Sequence, residues 1–562
     1  MNVIETDILV IGGGGAGAYA AYEASKRGRP VVLVVKGFLG KSGSTPLAPG
    51  AIAGVGPWQH PQDSKDLHFM DTLKGGAFLN EQKLVRVMVE EAPKRILELE
   101  YLGAFWERSA DGKNYLLRQG GGHSFPRSPY LEDRPGHELL KVLKGELLRR
   151  NVRLLENQMV LKILTNDGRV CGAIGAGLYT GDFTLYRAKS IVLATGGASR
   201  VYPYFTQDVK NTGDGISLGW EAGADLIDME FLQFFIGLAW PKALRGIIVG
   251  ALYYSRLLNG TGERFLKRYD PERLESSTRD IVSQACFQEI QEGRGTPGDG
   301  VYLDLSHNPP GFVKEKLPMI HSLCRQLGVN LEKEPMEVAP TFHFVMGGIR
   351  VDENWQSRVP GLFAAGEVAG GVHGANRLSQ NSLADIAVSG AIAGRTAAAF
   401  AEKQKFLPID PADCAAVSRK VEEVFERTPT RPLRPSVIRE TLRNLMWDKV
   451  SFRRNENGLG EALDRVIRLR REDLPSLKVG TKSKRFNRQL FEILEMENLL
   501  IFSELVIRSA LMRRETRGAH FRDDYPRQDD QHWLKHVVIR KANGDVQLKT
   551  EEVDLNEIRP PQ

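Results

Sequence analysis

The sequence is poor in cysteine. Only Cys171, Cys286, Cys324 and Cys414 occur among its 562 residues, and no two of them form a CxxC pair. Scattered thiols argue against an iron–sulfur cluster or a zinc site held by this chain alone, because those sites use closely spaced ligands. Few cysteines also fit a reducing compartment. We therefore expect no metal site in the chain and a cytoplasmic location.

Long apolar runs and dense basic blocks are also missing. No stretch of about 18 or more apolar residues is present, so we expect no membrane span in this chain. The N-terminus enters a strand pattern within a few residues, so we expect no secretory or twin-arginine leader. Lys and Arg number 76 against 70 for Asp and Glu, a formal net charge of +6. This weak excess, without a basic block interleaved with aromatics, does not favour nucleic-acid binding.

What the sequence does contain is a glycine pattern near its start. The segment DILVIGGGGAGAYAAYEASKRGRPVVLVVK is typical of a strand, a glycine turn, a helix and a second strand. Gly12, Gly14 and Gly17 would allow a tight turn, approach of a pyrophosphate to the helix N-terminus, and close helix–strand packing. A glycine-rich turn in an ordinary α/β protein is the alternative. Lys36 stands where an acid usually holds the ribose of NAD, which weakens an NAD site.

Further glycine motifs return far along the chain. LATGG (193–197) and NTGDG (211–215) precede GLFAAGEVAGGVHGANRLSQNSL (361–383), whose glycine turn would bring Glu367 to the cofactor. Segments this distant converge on one large ligand only if the domain is interrupted by an insertion, which is the pattern of a two-part FAD site. The predicted cofactor-binding residues are Gly12, Gly14, Gly17, Lys36, Ser42, Ser44, Thr45, Thr195, Gly196, Asp214, Glu367, Ser382 and Leu383.

The length predicts two to four domains. Apolar spacing predicts amphipathic helices over 80–103 and 136–151, several strands over 152–195, and a β-hairpin turning at Asn543-Gly544. The predicted fold class is α/β: a doubly wound, Rossmann-like FAD-binding domain with an inserted α+β capping domain and a C-terminal helical domain. The predicted ranges are 1–235 and 341–405 for the FAD-binding domain, 236–340 for the cap, 406–515 for the helical domain and 516–562 for the tail.

Taken together, these motifs resemble those of the flavoprotein subunits of succinate dehydrogenase and fumarate reductase, and of the related L-aspartate oxidases and soluble fumarate reductases. The resemblance covers almost the whole chain, and Lys36 agrees with it. L-aspartate oxidase fits less well, because that branch normally keeps an RGEG stretch that is missing here. The matching segments are DILVIGGGGAG, DTLKGGAFLNEQKLV, NTGDG, STRDIVSQA, PTFHFVMGGI, HGANRLSQNSL and RGAHFRDDYPRQDDQHWLKH.

The resemblance implies FAD, a cap that closes over a small carboxylate substrate, and electrons exchanged with an iron–sulfur subunit or another donor. Membrane-bound members attach the flavin to a His in an SHT motif. The matching stretch here is SGST, with Ser44 at the His position, so we expect non-covalent FAD. Through its partners, the chain could be attached to the inner face of the membrane.

The resemblance also implies three catalytic residues. Arg279 in STRDIVSQA matches the family's proton donor, while His343 in PTFHFVMGGI and Arg377 in HGANR match the residues that hold the substrate carboxylate. The chemistry is coherent, because a guanidinium grips a carboxylate through two parallel charge-assisted hydrogen bonds. Taken singly, each residue is more often a core histidine or a surface arginine; it is the matched motifs that favour function.

The stretch MEFLQFFIGLAW (229–240) departs from the family pattern, and we interpret it as an apolar loop. Where the family has QFHPTG, this chain has QFFIGL, with Phe235 at the His position. Counting without gaps, Ile247, Ile248 and Ala251 replace the family's Thr, Glu and Arg, of which the last two relay protons. The partners of a second carboxylate would thus be lost. The alternatives are that Phe235 only repacks the cap, or that the alignment of 236–258 slips.

The sequence therefore predicts reduction of the C=C bond of an α,β-unsaturated monocarboxylate, with an apolar pocket formed by Phe235, Ile247 and Ile248. Tyr253 or Tyr254 is a candidate to replace the lost proton relay. Two other functions stay open: a true fumarate reductase or succinate dehydrogenase flavoprotein subunit, and an FAD electron-relay subunit without a small-molecule substrate.

Overall fold

The structure is a computed structural model that describes residues 1–58 and 60–560. The strands are β1 (Asn2–Ile11), β2 (Val31–Val35), β3 (Leu117–Arg118), β4 (Ser128–Pro129), β5 (Arg153–Glu156), β6 (Gln158–Asn166), β7 (Arg169–Gly177), β8 (Phe183–Leu193), β9 (Leu226–Ile227), β10 (Leu232–Leu238), β11 (Arg256–Leu258), β12 (Val301–Asp304), β13 (Met336–Val345), β14 (Gly348–Ile349), β15 (Leu362–Ala364), β16 (Lys535–Ala542) and β17 (Asp545–Glu552). The helices are α1 (Gly15–Ser25), α2 (Lys65–Gly75), α3 (Gln82–Tyr101), α4 (Pro135–Arg149), α5 (Asp214–Glu221), α6 (Leu266–Tyr269), α7 (Arg279–Glu289), α8 (Phe312–Lys316), α9 (Pro318–Gln326), α10 (Asn381–Glu402), α11 (Pro411–Glu426), α12 (Pro435–Val450), α13 (Glu456–Arg468), α14 (Arg488–Met512) and α15 (Asp530–Trp533).

The largest sheet has the order β5-β2-β1-β8-β7-β6, with β15 beside β8. Strands β5, β2, β1, β8 and β15 run parallel, whereas β7 is antiparallel to β8 and β6. β2 is buried throughout, as expected of a parallel strand covered on both faces. Helix α1 packs on α10 so closely that a Cβ at Gly394 would lie 2.2 Å from the Ala20 carbonyl oxygen. The predicted fold class is confirmed.

A second, antiparallel sheet has the order β10-β13-β12-β11. Its strands lie in the chain between β8 and β15, which both belong to the large sheet. The second sheet's side chains Phe235, Leu257 and Val338 form a separate core together with Val282 of α7. Ile236 of β10 pairs with Pro340 of β13, so the predicted cap limits of 236 and 340 fall on opposed residues. Those limits stay a prediction, which the separate core supports.

The interpretation of the apolar stretch as a loop is wrong. Residues Leu232–Leu238 form β10, and every residue of this strand is buried. A strand covered on both faces needs apolar side chains at successive positions, so it lacks the alternation that would have revealed it in the sequence. The apolar run is therefore a connection between the cap and the cofactor-binding part of the molecule.

The C-terminal part is tied to the rest by buried charges. The Arg513 Nε donates to Glu230 Oε1 over 2.5 Å, and Arg454 Nη1 donates to the Glu230 backbone oxygen over 2.7 Å. β16 also pairs with β9, joining the tail to the chain just before β10. Burying these arginines demands such partners, because an unpaired buried charge is costly. The C-terminal residues thus hold in place the segment that leads into β10.

Several local predictions agree with the structure. α3 and α4 confirm the two predicted amphipathic helices, with ends that differ by one or two residues. β16 and β17 confirm the hairpin, and Asn543 and Gly544 have φ of 53° and 86°, as a tight two-residue turn requires. Among the described residues, one helix, α10, has the length and hydropathy of a membrane span, and 72% of its apolar window is buried inside the protein.

Candidate active site

A deep cleft opens where β1 and β8 end and α1 begins. Its empty volume is about 1780 Å³, counting space open to solvent, and residues from the large sheet, the cap and the start of α10 line it. Ligands in open α/β sheets bind in this position, beyond the carboxyl ends of the strands. The cleft is therefore the candidate site for both a cofactor and a substrate.

The three predicted glycines have distinct local roles. A Cβ on Gly12, whose φ is 113°, would lie 2.2 Å from the Ala194 carbonyl oxygen, and one on Gly17 would lie 1.8 Å from the Gly12 carbonyl oxygen. Gly14 caps the N-terminus of α1 and has no such clash. Gly12 and Gly17 thus allow strand and helix to pack, while the open surface at Gly14 lets a ligand approach the positive end of α1.

Most predicted cofactor residues line this cleft, whereas Gly17 packs beneath it. The Thr195 hydroxyl is buried and has no hydrogen-bond partner among the described residues. A buried hydroxyl without a partner costs free energy, so it suits a polar ligand. Together with the glycines and the free end of α1, this fits FAD. The predicted residues in the cleft wall are Gly12, Gly14, Lys36, Ser42, Ser44, Thr45, Thr195, Gly196, Asp214, Glu367, Ser382 and Leu383.

The structure gives Lys36 and Asp214 partners that the motifs did not show. Lys36 Nζ lies 2.8 Å from Asp214 Oδ2 and 2.7 Å from Glu495 Oε1, and it donates to the Thr212 hydroxyl. Glu495 belongs to α14, in the predicted helical domain. Lys36 therefore links the cofactor-binding part to that domain by a half-buried ion pair, as well as facing the cleft.

Glu367 lies at the inner end of the cleft. Gln207 Nε2 donates to both of its carboxylate oxygens over 2.8 Å, and the backbone N–H of Val345 donates to one of them. Burial raises the pKa of Glu367 to about 7, although these donors and the charge of Arg377 act in the opposite direction. Burial thus favours the protonated form of Glu367 more than it is favoured in a carboxyl group exposed to water.

One side of the cleft, which we call the cationic wall, consists of Arg279, His343 and Arg377. The three come from the first residue of α7, from β13 and from the loop before α10. Gln233 Oε1 accepts a hydrogen bond from Arg377 Nη2 over 2.9 Å and a longer one from Arg279 Nη1 over 3.4 Å. Gln233 therefore holds the two guanidinium groups together on one side of the cleft.

Both guanidinium groups are short of partners. The Nε atoms of Arg279 and Arg377 are buried and have no hydrogen-bond partner in the part of the chain that the structure describes. Burial lowers the pKa of both, and the charge of Arg279 further lowers that of Arg377. Arg279 also begins a helix, where the positive end of the dipole disfavours a cation. These conditions favour a bound anion and make a proton on Arg279 easier to release.

His343 completes this wall as a neutral group. Burial, followed by the charges of Arg279 and Arg377, lowers the pKa of His343 well below its usual value. Its Nδ1 lies 2.6 Å from the Thr206 hydroxyl. The alternative acceptor for that hydroxyl, the Phe342 carbonyl, is 3.5 Å away, so we assign the hydroxyl as the donor to Nδ1. In that tautomer Nε2 carries the hydrogen and is a donor for an anion.

An adjoining part of the lining, which we call the apolar wall, consists of Phe235, Ile248, Val249 and Leu252. The Arg279 Cζ lies 4.2 Å from the centre of the Phe235 ring, and the rings of Phe235 and His343 are 5.4 Å apart. Phe235 thus borders the cationic wall directly, and its ring offers no hydrogen-bond donor to a ligand. The structure places both Phe235 and Ile248 in the cleft wall, and their role as substrate-pocket residues stays a prediction.

Two residues do not reach the cleft. Ile247 was predicted to line the pocket, but its side chain is 40% exposed and is not part of the cleft wall. Ile248 forms a β-bridge with Gly237, and in extended chain adjacent side chains point to opposite sides. Ala251 is fully buried behind the wall. The prediction for Ile247 is therefore corrected: its neighbour Ile248 lines the cleft and Ile247 does not.

Sequence reasoning missed Gln233, Thr206 and Gln207. A signal existed for Gln233, because it lies two residues before Phe235 and alternate residues of a strand share a face. Thr206 and Gln207 lie in a loop, and nothing in the local sequence indicates their contacts with His343 and Glu367. Within residues 1–58 and 60–560, no group of three or more His, Cys, Asp or Glu side chains is placed to hold a metal ion.

Comparisons with known proteins agree with this geometry. A family described as "FAD binding domain" matches residues 7–383, and one described as "Fumarate reductase flavoprotein C-term" matches residues 439–562. The chain is 41% identical to a fumarate reductase (CoM/CoB) subunit of Methanothermobacter marburgensis, over 96% of this chain and 98% of that protein. It is 35% identical to the fumarate reductase flavoprotein subunit of Mycobacterium tuberculosis, over 96% of both.

A solved structure of quinol fumarate reductase from Escherichia coli superposes with a TM-score of 0.94 at 32% identity, covering 100% of this chain and 99% of that one. The glycine cradle, the cleft and the full-length matches together support FAD as the cofactor and oxidoreduction of carbon–carbon bonds as the chemistry. The chain belongs to the family of fumarate reductase and succinate dehydrogenase flavoprotein subunits.

Proposed function

We propose that the protein reduces the C=C bond of an α,β-unsaturated monocarboxylate, a 2-enoate with an apolar or aromatic tail. The observation that carries this proposal is the contrast within the cleft lining. Two arginines with unpartnered Nε atoms and a neutral His343 form one part of it, and Phe235 with Ile248 forms an apolar part beside them. One carboxylate has strong partners here, while a second carboxylate would meet hydrocarbon.

Energetics favour that asymmetry. A carboxylate held by guanidinium groups gains charge-assisted hydrogen bonds. A carboxylate buried against Phe235 without a donor would lose its hydration and cost several kcal/mol. An apolar substituent at the same place gains about 25 cal/mol for each Å² removed from water. The apolar wall therefore selects against a diacid and for a hydrocarbon tail.

In this mechanism Arg377 and His343 hold the substrate carboxylate. As the double bond is reduced, negative charge builds up on that carboxylate and the α-carbon, and the positive Arg377 and the Nε2–H of His343 stabilise it. Arg279, whose pKa burial lowers, donates a proton to the α-carbon. FAD, when held by the glycine cradle, would supply the hydride to the β-carbon. Gln233 holds both arginines in positions from which they can contact the same substrate molecule.

The experiment is anaerobic reoxidation of the dithionite-reduced protein with a panel of unsaturated acids, followed by flavin absorbance. Aromatic and long-chain 2-enoates should reoxidise the flavin with a saturating rate, at kcat/KM at least about tenfold above that for fumarate. A preference for fumarate would overturn the proposal. Reoxidation by no acid, with electrons passing only to a protein partner, would favour an electron-relay subunit instead.

A fumarate reductase is the second candidate, because relatives that match nearly the whole chain carry that name. In that case a dicarboxylate would have to direct its second carboxylate away from Phe235. Saturating turnover with fumarate and none with longer 2-enoates is the outcome that distinguishes it. Arg279, His343 and Arg377 would keep the same roles in that reaction.

We further propose that the FAD is bound non-covalently. Ser44 lines the cleft and its hydroxyl accepts a hydrogen bond from Asn211 Nδ2 over 2.9 Å, and a serine hydroxyl is not the imidazole to which the resembling proteins attach flavin. Acid precipitation of the purified protein should release the yellow flavin into the supernatant. Flavin that stayed with the pellet would contradict non-covalent binding.

We also propose that electrons reach the flavin from a separate chain, for which an iron–sulfur protein is the first candidate. The support is that the relatives matching this chain end to end are named as subunits. The four cysteines are free thiols, three of them buried, which fits a cytoplasmic location, directly or through attachment to the inner face of the membrane by a partner. Co-purification of the tagged chain from its native cells, with the iron content of the complex, tests this assignment.

A further inference from the structure

The proton that Arg279 gives to a substrate must be replaced before the next turnover. Ile248 and Ala251, which occupy the positions that the sequence resemblance assigns to a relay, carry no ionisable group. Ile248 faces the cleft and Ala251 is fully buried. The resupply must therefore use another side chain that touches Arg279 and also meets solvent.

Tyr253 meets both requirements. Tyr253 lines the cleft together with Arg279, whose pKa burial lowers and the Tyr253 side chain raises, and its hydroxyl lies 2.8 Å from that of Ser379. Ser379 is buried in the loop that carries Arg377, so the phenol is held at the cationic wall. Tyr253 lines the cleft and also lines a second, outer pocket.

The outer pocket is open to solvent and contains four ionisable side chains besides the tyrosines. The Arg264–Glu275 ion pair lies at its floor, with Glu275 buried, and His307 is exposed. Water in this pocket can therefore exchange protons with bulk solvent. The ionisable groups that surround Tyr253 are Arg279 and Arg377 on the cleft side and Arg264, Arg273, Glu275 and His307 on the outer side.

We propose that Tyr253 is the group that reloads Arg279, carrying protons from the outer pocket across to the cleft. After Arg279 has protonated the substrate, its neutral guanidine takes the phenol proton of Tyr253. The phenolate then takes a proton from water in the outer pocket, and a proton from bulk solvent neutralises the hydroxide left there, so that both groups are restored. This step rests on the proposed role of Arg279 as the acid.

Charge favours this route. Tyr253 lines the same cleft as the cations Arg279 and Arg377, which attract an anion that forms there. Ser379 can donate its hydroxyl hydrogen to the phenolate oxygen, because either atom of that hydrogen bond can be the donor.

The test compares Tyr253→Phe with Tyr254→Phe in the FAD-loaded protein. Tyr254 is the adjacent residue, but its ring packs 5.3 Å from that of Phe312 and is not part of the cleft wall. With excess reduced viologen and a reactive 2-enoate, Tyr253→Phe should lower steady-state kcat at least about tenfold. Single-turnover reoxidation should stay within about twofold of wild type, because Arg279 begins that turnover already protonated. Tyr254→Phe should change neither rate by more than about twofold.

Two further readouts separate a proton route from a structural role. The Kd of a saturated carboxylate inhibitor, measured from the flavin absorbance change, should be the same in Tyr253→Phe and wild type. The solvent deuterium isotope effect on kcat should rise only in Tyr253→Phe. Equal losses in single-turnover and steady-state rates, or no loss in either, would overturn the proposal. If the wild-type protein turned over no 2-enoate and no fumarate, the proposed function would fail first, and that result is distinct from either outcome.

Discussion

The two walls of the cleft differ in what they offer a ligand. The cationic wall presents two guanidinium groups and a neutral imidazole, with Gln233 shared between the arginines. The apolar wall presents Phe235 and aliphatic side chains a few ångströms away. The same β-strand, β10, supplies Gln233 to one wall and Phe235 to the other. A single strand thus contributes both to the positioning of the arginines and to the apolar surface beside them.

This difference shows how the site keeps its arginines reactive. Buried arginines elsewhere, such as Arg513 and Arg517, share the carboxylate of Glu515. Arg377 has no ion-pair partner within 4 Å among the described residues, and its acidic neighbour Glu367 interacts with it only through space. A buried guanidinium group without a counter-charge is unfavourable. A bound carboxylate would supply that counter-charge, so the relief of this cost would contribute to its binding.

The largest expected effect comes from the cationic wall. Replacing Arg279 by Lys keeps a positive charge but removes the planar donor set, so kcat for the best 2-enoate should fall about 10²–10⁴-fold. Flavin content should not change, because Arg279 is placed at the substrate end. Arg256→Lys, at an exposed arginine of β11, is the matched control and should retain wild-type kcat. An unchanged kcat in Arg279→Lys would remove this residue from the mechanism.

The next effect concerns Glu367, the acid nearest to Arg377. Because burial raises the pKa of Glu367 to about 7 from an ordinary 4.5, its ionisation opposes folding as the pH rises between these values. Glu367→Gln removes that penalty. The free energy of unfolding of the flavin-free variant should therefore exceed that of wild type by about 3 kcal/mol above pH 7.

The same difference between the two proteins should vanish below pH 4.5, where Glu367 is protonated in both folded and unfolded chains. Denaturant titrations across this pH range measure it, and Asp214→Asn is not a suitable control because Asp214 is ion-paired with Lys36. A difference that did not change with pH would show that folding leaves the pKa of Glu367 at its ordinary value. The cationic wall would then have an ionised acidic neighbour at neutral pH.

How far the sequence predicts this site depends on how local each contact is. The glycine cradle is local to one strand–turn–helix unit, so its residues were recognisable by spacing alone. Arg279, His343 and Arg377 come from three separate elements, and only the resemblance to a known family predicted that they meet. Gln233 and Arg377 are 144 residues apart, and no pattern along the chain indicates their hydrogen bond.

The errors have physical causes as well. β10 was interpreted as a loop because a strand buried on both faces lacks a polar face in its sequence. Ile247 was placed in the pocket by counting residues, whereas a shift of one residue along extended chain moves a side chain to the other side. An error of one residue in the alignment leaves the predicted fold unchanged, but it changes which residue is predicted to line the pocket.

A third substitution tests the apolar wall itself. Phe235→His gives this wall a hydrogen-bond donor, so the ratio of kcat/KM for fumarate to that for an aromatic 2-enoate should rise about tenfold or more, equivalent to about 1–3 kcal/mol. Phe235→Leu keeps the wall apolar and should leave the ratio close to wild type. If Phe235→His gave the same ratio as Phe235→Leu, Phe235 would border the cleft without selecting the substrate.

The smallest effect is expected at Ile247, which the sequence predicted to line the pocket but which is not part of the cleft wall. Ile247→Thr restores the polar residue found in resembling proteins, but the Ile247 side chain is 40% exposed and points away from the cleft. Because exposed substitutions away from a site change free energies by about 0.5 kcal/mol or less, the kcat/KM ratio for the two acids should stay within about twofold. Adding Ile247→Thr to Phe235→His should likewise add nothing. A gain in fumarate turnover from Ile247→Thr alone would mean that the cap can move this residue inward, and that the apolar wall is a property of one conformation.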